Sequence, residues 1–133
     1  MNATELEAAL ANFMGTEQYH NIVSTPFVLA TDGVAFLAKE AQCYWLTDLI
    51  ASYQPSIRSN PKISELWDFQ VWKLTKNKTG SGAKVVCTDG NEHAVFSQRI
   101  PYTDFPLQEI TIWVGPQEVN LGVNMVMYLP SEH

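Results

Sequence analysis

The chain predicts an α+β fold, an antiparallel sheet of four or five strands in a meander with helices packed on one face. Three observations carry this. Apolar stripes of helical period are confined to the first half, alternation of period two begins at Trp67, and turn-forming residues separate the alternating runs that follow. A length of 133 residues fits a single domain, 1–133, in which one core buries roughly two-thirds of the surface the unfolded chain exposes. With 46% hydrophobic and 17% charged residues, the composition excludes a disordered chain, and the apolar runs are too interrupted for a membrane span.

Near the N-terminus, Thr4 and Glu7 form a capping-box pattern that predicts a helix over Glu5–Met14, stopped by Gly15. Its apolar stripe is Leu6, Ala9, Leu10 and Phe13. Residues 20–31, "HNIVSTPFVLAT", are rich in β-branched residues and broken by Pro26, which suggests an extended edge segment or two short strands. The stretch 31–55 is the most helical, as one helix or two, with Thr31 or Asp32 as N-cap and Pro55 as terminator. Its broad face of Tyr44 or Trp45, Leu46, Leu49, Ile50 and Tyr53 marks it as the central helix.

From Trp67 onward, "WDFQVWKL", "AKVVCT" and "HAVFSQRI" read as three strands joined by "TKNKTGSG" and "DGNE". "EITIWV" continues the alternation, and "VNMVMYL" reads as a fifth strand. Between the third and fourth runs lies "PYTDFPL", Pro101–Leu107. Its prolines force Ile100 and Phe105 into extended geometry, and Thr103 and Asp104 are turn formers, so the segment predicts a stiff corner held by their capping bonds.

The net charge of −6 is unevenly spread. Residues 1–57 carry six acids against Lys39 alone, and residues 85–133 carry six against Arg99 alone. Residues 58–84 hold Arg58, Lys62, Lys73, Lys76, Lys78 and Lys84 against Glu65 and Asp68. A basic hairpin between acidic segments reads first as a soluble sheet edge and second as a contact surface. With the apolar faces around Trp67, Trp72 and Trp113, it predicts a homodimer in which one subunit's basic hairpin meets another's acidic face. "MNATELEAAL" lacks a basic start and an apolar run before a cleavage site, so a cytoplasmic protein is expected, with Cys43 and Cys87 as reduced, buried thiols.

Four blocks, "TDGVAFLA", "YWLTDLIASYQ", "DFQVWKL" and "QRIPYTDFPL", resemble a family of small uncharacterised bacterial proteins, with cyanobacterial and mobile-element members, described only as a domain of unknown function. The resemblance spans roughly Leu6 to Val114 and implies no activity. Relatives tend to place small residues just before the Tyr-Trp pair, where this chain has Gln42 and Cys43.

Side chains with chemical potential are few. Cys87 and His93 flank one turn, but the hairpin lengths of two or four residues place them on opposite faces. His20, His93 and His133 are too scattered for a metal site, no cofactor motif is present, and "GSGAK" lacks the strand and helix a phosphate loop needs. The candidate binding residues are Tyr44, Trp45, Asp48, Trp72, Tyr102 and Asp104. The leading expectation is a non-enzymatic binding or assembly module. One alternative is a small hydrolase-like enzyme using acids near Tyr102 and Tyr44, drawn from Asp32, Asp48 and Asp104. Another is nucleic-acid contact through the 58–84 hairpin, with Trp67, Phe69 and Trp72 stacking on bases, although the overall acidity weighs against it.

Overall fold

The computed structural model describes residues 1–133. Its helices are α1 (Ala3–Ala11), α2 (Asp32–Glu40) and α3 (Tyr44–Ser59), with short 3-10 helices at Pro61–Trp67 and Pro130–Glu132. The strands are β1 (Tyr19–Asn21), β2 (Val28–Thr31), β3 (Gln70–Lys76), β4 (Ala83–Thr88), β5 (Ala94–Ile100), β6 (Glu109–Val119) and β7 (Gly122–Tyr128). They form one seven-stranded sheet in the order β1-β2-β7-β6-β3-β4-β5. Only β2 and β7 run parallel.

The expected four- or five-stranded antiparallel meander is therefore wrong, for two reasons. The meander β3-β4-β5 forms, but β6 does not extend it; β6 returns to pair with β3 on the opposite side. The segment around Pro26 supplies two further strands, because Pro26 lies in the turn between β1 and β2 rather than inside a strand. β2 then joins the sheet by parallel pairing with β7, with Leu29 opposite Val126.

The helices cover one face. Leu6, Leu10, Val34, Leu37, Leu46, Ile50 and Ile57 share a core with Trp72, Leu74, Val85, Cys87, Ile112, Val114, Met125 and Met127, the inward residues of alternating strands. The other face carries a smaller cluster of Leu29, Val119, Val126 and Tyr128 under Trp113. Inside the main core, Gln54 of α3 and Gln70 of β3 exchange amide hydrogen bonds of 2.8 and 2.9 Å, and Trp72 Nε1 donates to Gln70 Oε1 at 2.8 Å. All three residues are buried, so each needs the others to satisfy its polar atoms.

Several boundaries differ from expectation. Asn2, not Thr4, caps α1 in a box with Glu5, so the helix starts and ends earlier than Glu5–Met14. The long helical stretch is two helices. Cys43 N donates to Ala38 O and Gln42 N to Lys39 O, a Schellman ending in which Gln42 takes φ 52°. A small residue, glycine above all, enters that conformation with less strain. Pro55 does not end α3, which runs to Ser59 because Gln54 and Ile57 are fully buried and Arg58 stacks over Phe27 at 4.2 Å. Trp67 closes a 3-10 helix instead of opening a strand.

The corner Pro101–Leu107 carries the chain from the edge strand β5 across β4 and β3 to β6. Thr103, Phe105 and Leu107 point inward and are buried, while Tyr102, Asp104 and Pro106 are exposed. Thr103 N donates to Ser81 O at 2.7 Å, and Thr103 Oγ1 accepts from Phe105 N at 3.1 Å. Gly82 makes room for this crossing, since a Cβ there would lie 3.1 Å from Ile100 O. Thr103, rather than Asp104, ties the corner. Thr103→Val should lower stability by about 1–2 kcal/mol, by orphaning a buried amide. Asp104→Asn should stay within about 0.5 kcal/mol of the parent. Urea unfolding of the two variants checks both expectations.

Candidate functional site: a cavity beside a histidine–aspartate latch

The "TDG" triplet forms the junction of β2 and α2, and each residue has a separate task. Thr31 is the N-cap: its Oγ1 accepts from Val34 N at 3.4 Å and donates to Glu132 Oε1 at 2.7 Å. Gly33 leaves space for the same carboxylate, which accepts from Gly33 N at 3.1 Å; a Cβ on Gly33 would lie 2.6 Å from Glu132 Oε1. Leu129 N donates to Glu132 Oε1 at 2.9 Å, so one carboxylate binds the C-terminal segment to the start of α2.

Asp32 works on the other side of the junction. Its Oδ1 meets His20 Nε2 at 2.8 Å, and its Oδ2 accepts from Glu17 N at 2.9 Å and Gln18 N at 3.4 Å. Asp32 N donates to Thr16 Oγ1 at 2.8 Å. The hydrogen bond from His20, followed by that from Glu17 N, holds the Asp32 carboxyl below the usual aspartate range. An ionised carboxylate only accepts, so His20 Nε2 carries the proton of this bond. The other ring nitrogen, Nδ1, offers a lone pair whenever the ring is neutral.

His20 lines a cavity of about 260 Å³ between β1, β2, α2 and the first turn of α3. Ile22, Ala30, Val34, Ala35 and Ala38 supply apolar walls; Tyr44, Thr47 and Asp48 reach it from α3. The Thr47 hydroxyl donates to Tyr44 O at 2.9 Å, leaving its lone pairs for other donors. Asp48 is exposed, and neither the Lys73–Glu109 ion pair nor the His20–Asp32 contact involves it, so its carboxylate has no cationic partner.

Of the residues singled out in the sequence, the cavity gathers Tyr44 and Asp48, with Asp32 joined to it through His20. The others lie elsewhere. Trp45 is partly buried against the main core, Trp72 is a core residue bonded to Gln70, and Tyr102 and Asp104 project from the corner. The acids near Tyr102 and near Tyr44 thus do not share this cavity. Of the aromatic residues of the 58–84 segment, the half-buried Trp67 packs on Phe27 and the half-buried Phe69 on Trp113. Of its cations, Lys73, Lys76, Lys78 and Lys84 lie on the β3–β4 hairpin, while Arg58 ends α3 and Lys62 sits in the 3-10 helix.

His20 is the residue that sequence reasoning missed. Its partner is twelve positions away and reaches it only through the β1–β2 register, in which His20 lies opposite Ala30. A latched His–Asp pair also resembles the base half of a nucleophilic site, but no nucleophile faces it. The Thr47 hydroxyl spends its proton on Tyr44 O, and burial pushes both free thiols, Cys43 and Cys87, up to about 12.

The fold and the cavity together define an α+β domain with one helical layer over a mixed sheet and a small cleft at its β1 end. Residues 4–133 match a family of unknown function, DUF6876, and the chain belongs to that family. No curated protein and no solved structure matches it. No helix is long and apolar enough to cross a membrane.

The latch sets a pH dependence. A depressed carboxyl contributes stability that is fully present above the unfolded aspartate value of about 3.9 and is lost as pH falls through the lower folded value. Asp32→Asn should therefore unfold at lower urea concentration than the parent at pH 7, with the gap narrowing below pH ~4. A gap that stays constant to lower pH would show that the charge of Asp32 plays no part.

Proposed function

We propose that the protein is a non-enzymatic binding module whose ligand site is the cavity lined by His20, Val34, Ala38, Tyr44, Thr47 and Asp48. The observation that carries this reading is the combination of an apolar floor with a latched histidine and an unpaired carboxylate at the rim, with no nucleophile positioned between them. Convergent polar groups on an apolar pocket are what orient a ligand. A cavity of about 260 Å³ lies just below the range of roughly 300–1,000 Å³ that accepts drug-sized compounds, so the ligand is small. Backbone amide spectra recorded with a panel of small neutral, cationic and anionic compounds test the site. Shifts should cluster at Ala35, Ala38, Thr47 and Asp48 and disappear in Ala35→Phe, which fills the cavity. Shifts clustered elsewhere, or none at millimolar concentration, would refute it.

Self-association is a second reading, and one observation favours it. β5 is a seven-residue edge strand bonded on one side only, mostly exposed, and free of proline. Such an edge is a template for a second strand, and a two-fold pair of β5 edges would extend the sheet without burying a charge against its like. In the two-fold register centred on Ser97, Arg99 falls opposite Val95 of the second copy. The uncovered tryptophan faces expected from the sequence do not contribute, since each ring packs within the chain. Sedimentation at micromolar concentration should show a species of twice the monomer mass; monomer mass at every concentration and salt level would refute pairing.

A further inference from the structure

Of the polar groups at the cavity, Asp48, Thr47 and His20 share an acceptor sense that assigns the chemistry of the ligand, while the Asn21 amide and the Tyr44 hydroxyl can donate or accept. Asp48 is an ionised acceptor without a cation. Thr47 has spent its hydroxyl proton on Tyr44 O and retains lone pairs. His20 has spent Nε2 on Asp32, which leaves Nδ1 as an acceptor in the neutral ring. No lysine or arginine lines the cavity. A ligand whose polar end accepts hydrogen bonds, such as a carboxylate or phosphate, would meet acceptors and a negative charge. One whose polar end donates and is positive would satisfy them together.

Tyr44 adds an aromatic ring at the rim, where it is 58% exposed, and aromatic faces attract cations. The walls set the rest of the ligand. Ile22, Ala30, Val34, Ala35 and Ala38 offer aliphatic contact, and Asn21 adds one neutral amide at the β1 side. An apolar cavity of about 150 Å³ accommodates a six-carbon ring, so about 260 Å³ holds a body of roughly that size and its head.

We propose that the cavity binds an alkylammonium group, its three N–H donors directed at Asp48, Thr47 and His20 Nδ1 and its short aliphatic body against Val34 and Ala38. The proposal rests on the binding role of the cavity argued above, and it adds the sign and the donor character of the head group. The same chemistry is offered by a free small amine and by a lysine side chain, whose four-carbon stem ends in the same head.

Titration calorimetry and amide spectra with n-butylamine, n-butanol and butyrate, matched in length, separate the alternatives. Butylamine should bind most tightly and butyrate least. Asp48→Asn should weaken butylamine by up to about fivefold, the range for a solvent-accessible charge pair, while leaving butanol unchanged. Asp104→Asn, an exposed acid outside the cavity, should leave both unchanged. Nα-acetyl-lysine amide distinguishes the sources: its binding alongside butylamine assigns the site to lysine side chains as well, and its exclusion assigns the site to free amines. Butanol binding as tightly as butylamine would overturn the ammonium assignment while leaving the cavity a binding site. Absence of all three from the cavity would overturn the binding role itself.

Discussion

The carboxylate of Glu132 is the contact on which the architecture of the site depends. It accepts from Thr31 Oγ1, Gly33 N and Leu129 N, and so joins the last turn of the chain to the point where β2 becomes α2. A helix N-terminus presents unpaired amides and a partial positive charge, and a carboxylate satisfies both. The parallel pairing of β2 with β7 delivers the C-terminal segment to that place, since Thr31 leaves the sheet beside Tyr128 and the chain needs only a few more residues to return. A side chain at position 33 would occupy the space of the carboxylate, so the glycine of "TDG" is explained by a close approach and not by a turn.

Much of the element content was legible in the sequence and the order of the strands was not. Runs such as "VWKL", "AKVVCT" and "EITIWV" alternate because one face of the sheet is fully covered and the other only partly. β2 escapes such reading. All four of its residues are buried, so "VLAT" has no alternation to detect, and it lies inward of the edge strand β1 rather than at the edge. Nothing local specifies that β6 passes over two strands to pair with β3. That choice is made by the corner, where Phe105 and Leu107 are buried in the main core and Gln108 exchanges hydrogen bonds with Lys76. The corner was readable as stiff; which residue ties it was not, because Thr103 and Asp104 are both turn formers and only burial separates them.

The candidate site was half legible for a similar reason. Tyr44 and Asp48 are one turn apart on α3 and could be proposed together from spacing alone. Trp72 fails as a site residue because its indole N–H is consumed by Gln70 inside the core, where a buried tryptophan must find an acceptor. His20 could not be placed without the β1–β2 register. The tryptophans that suggested an uncovered surface are covered from within: Trp113 lies edge-on to Phe69, Tyr128 and His133, and Trp72 beside Tyr53 and Phe96.

The two ends of the sheet are stabilised by different means, and this bears on binding. β5 is seven residues long and pairs along its length with β4, so its place is secured by the ladder. β1 has three residues and pairs only with β2, too short a ladder to be stable alone. The latch from His20 to Asp32, with the amides of Glu17 and Gln18 on the same carboxylate, compensates by fixing the chain on both sides of Tyr19. β1 is also one wall of the cavity, through His20 and Asn21. The shortest strand of the sheet therefore lines the cavity, and short ladders open locally more readily than long ones. Under the proposed binding role, a ligand touching His20 and α3 together would bind only when β1 is in place, and mass action would then stabilise that wall. The same aspartate that begins α2 thus anchors one wall of the cavity.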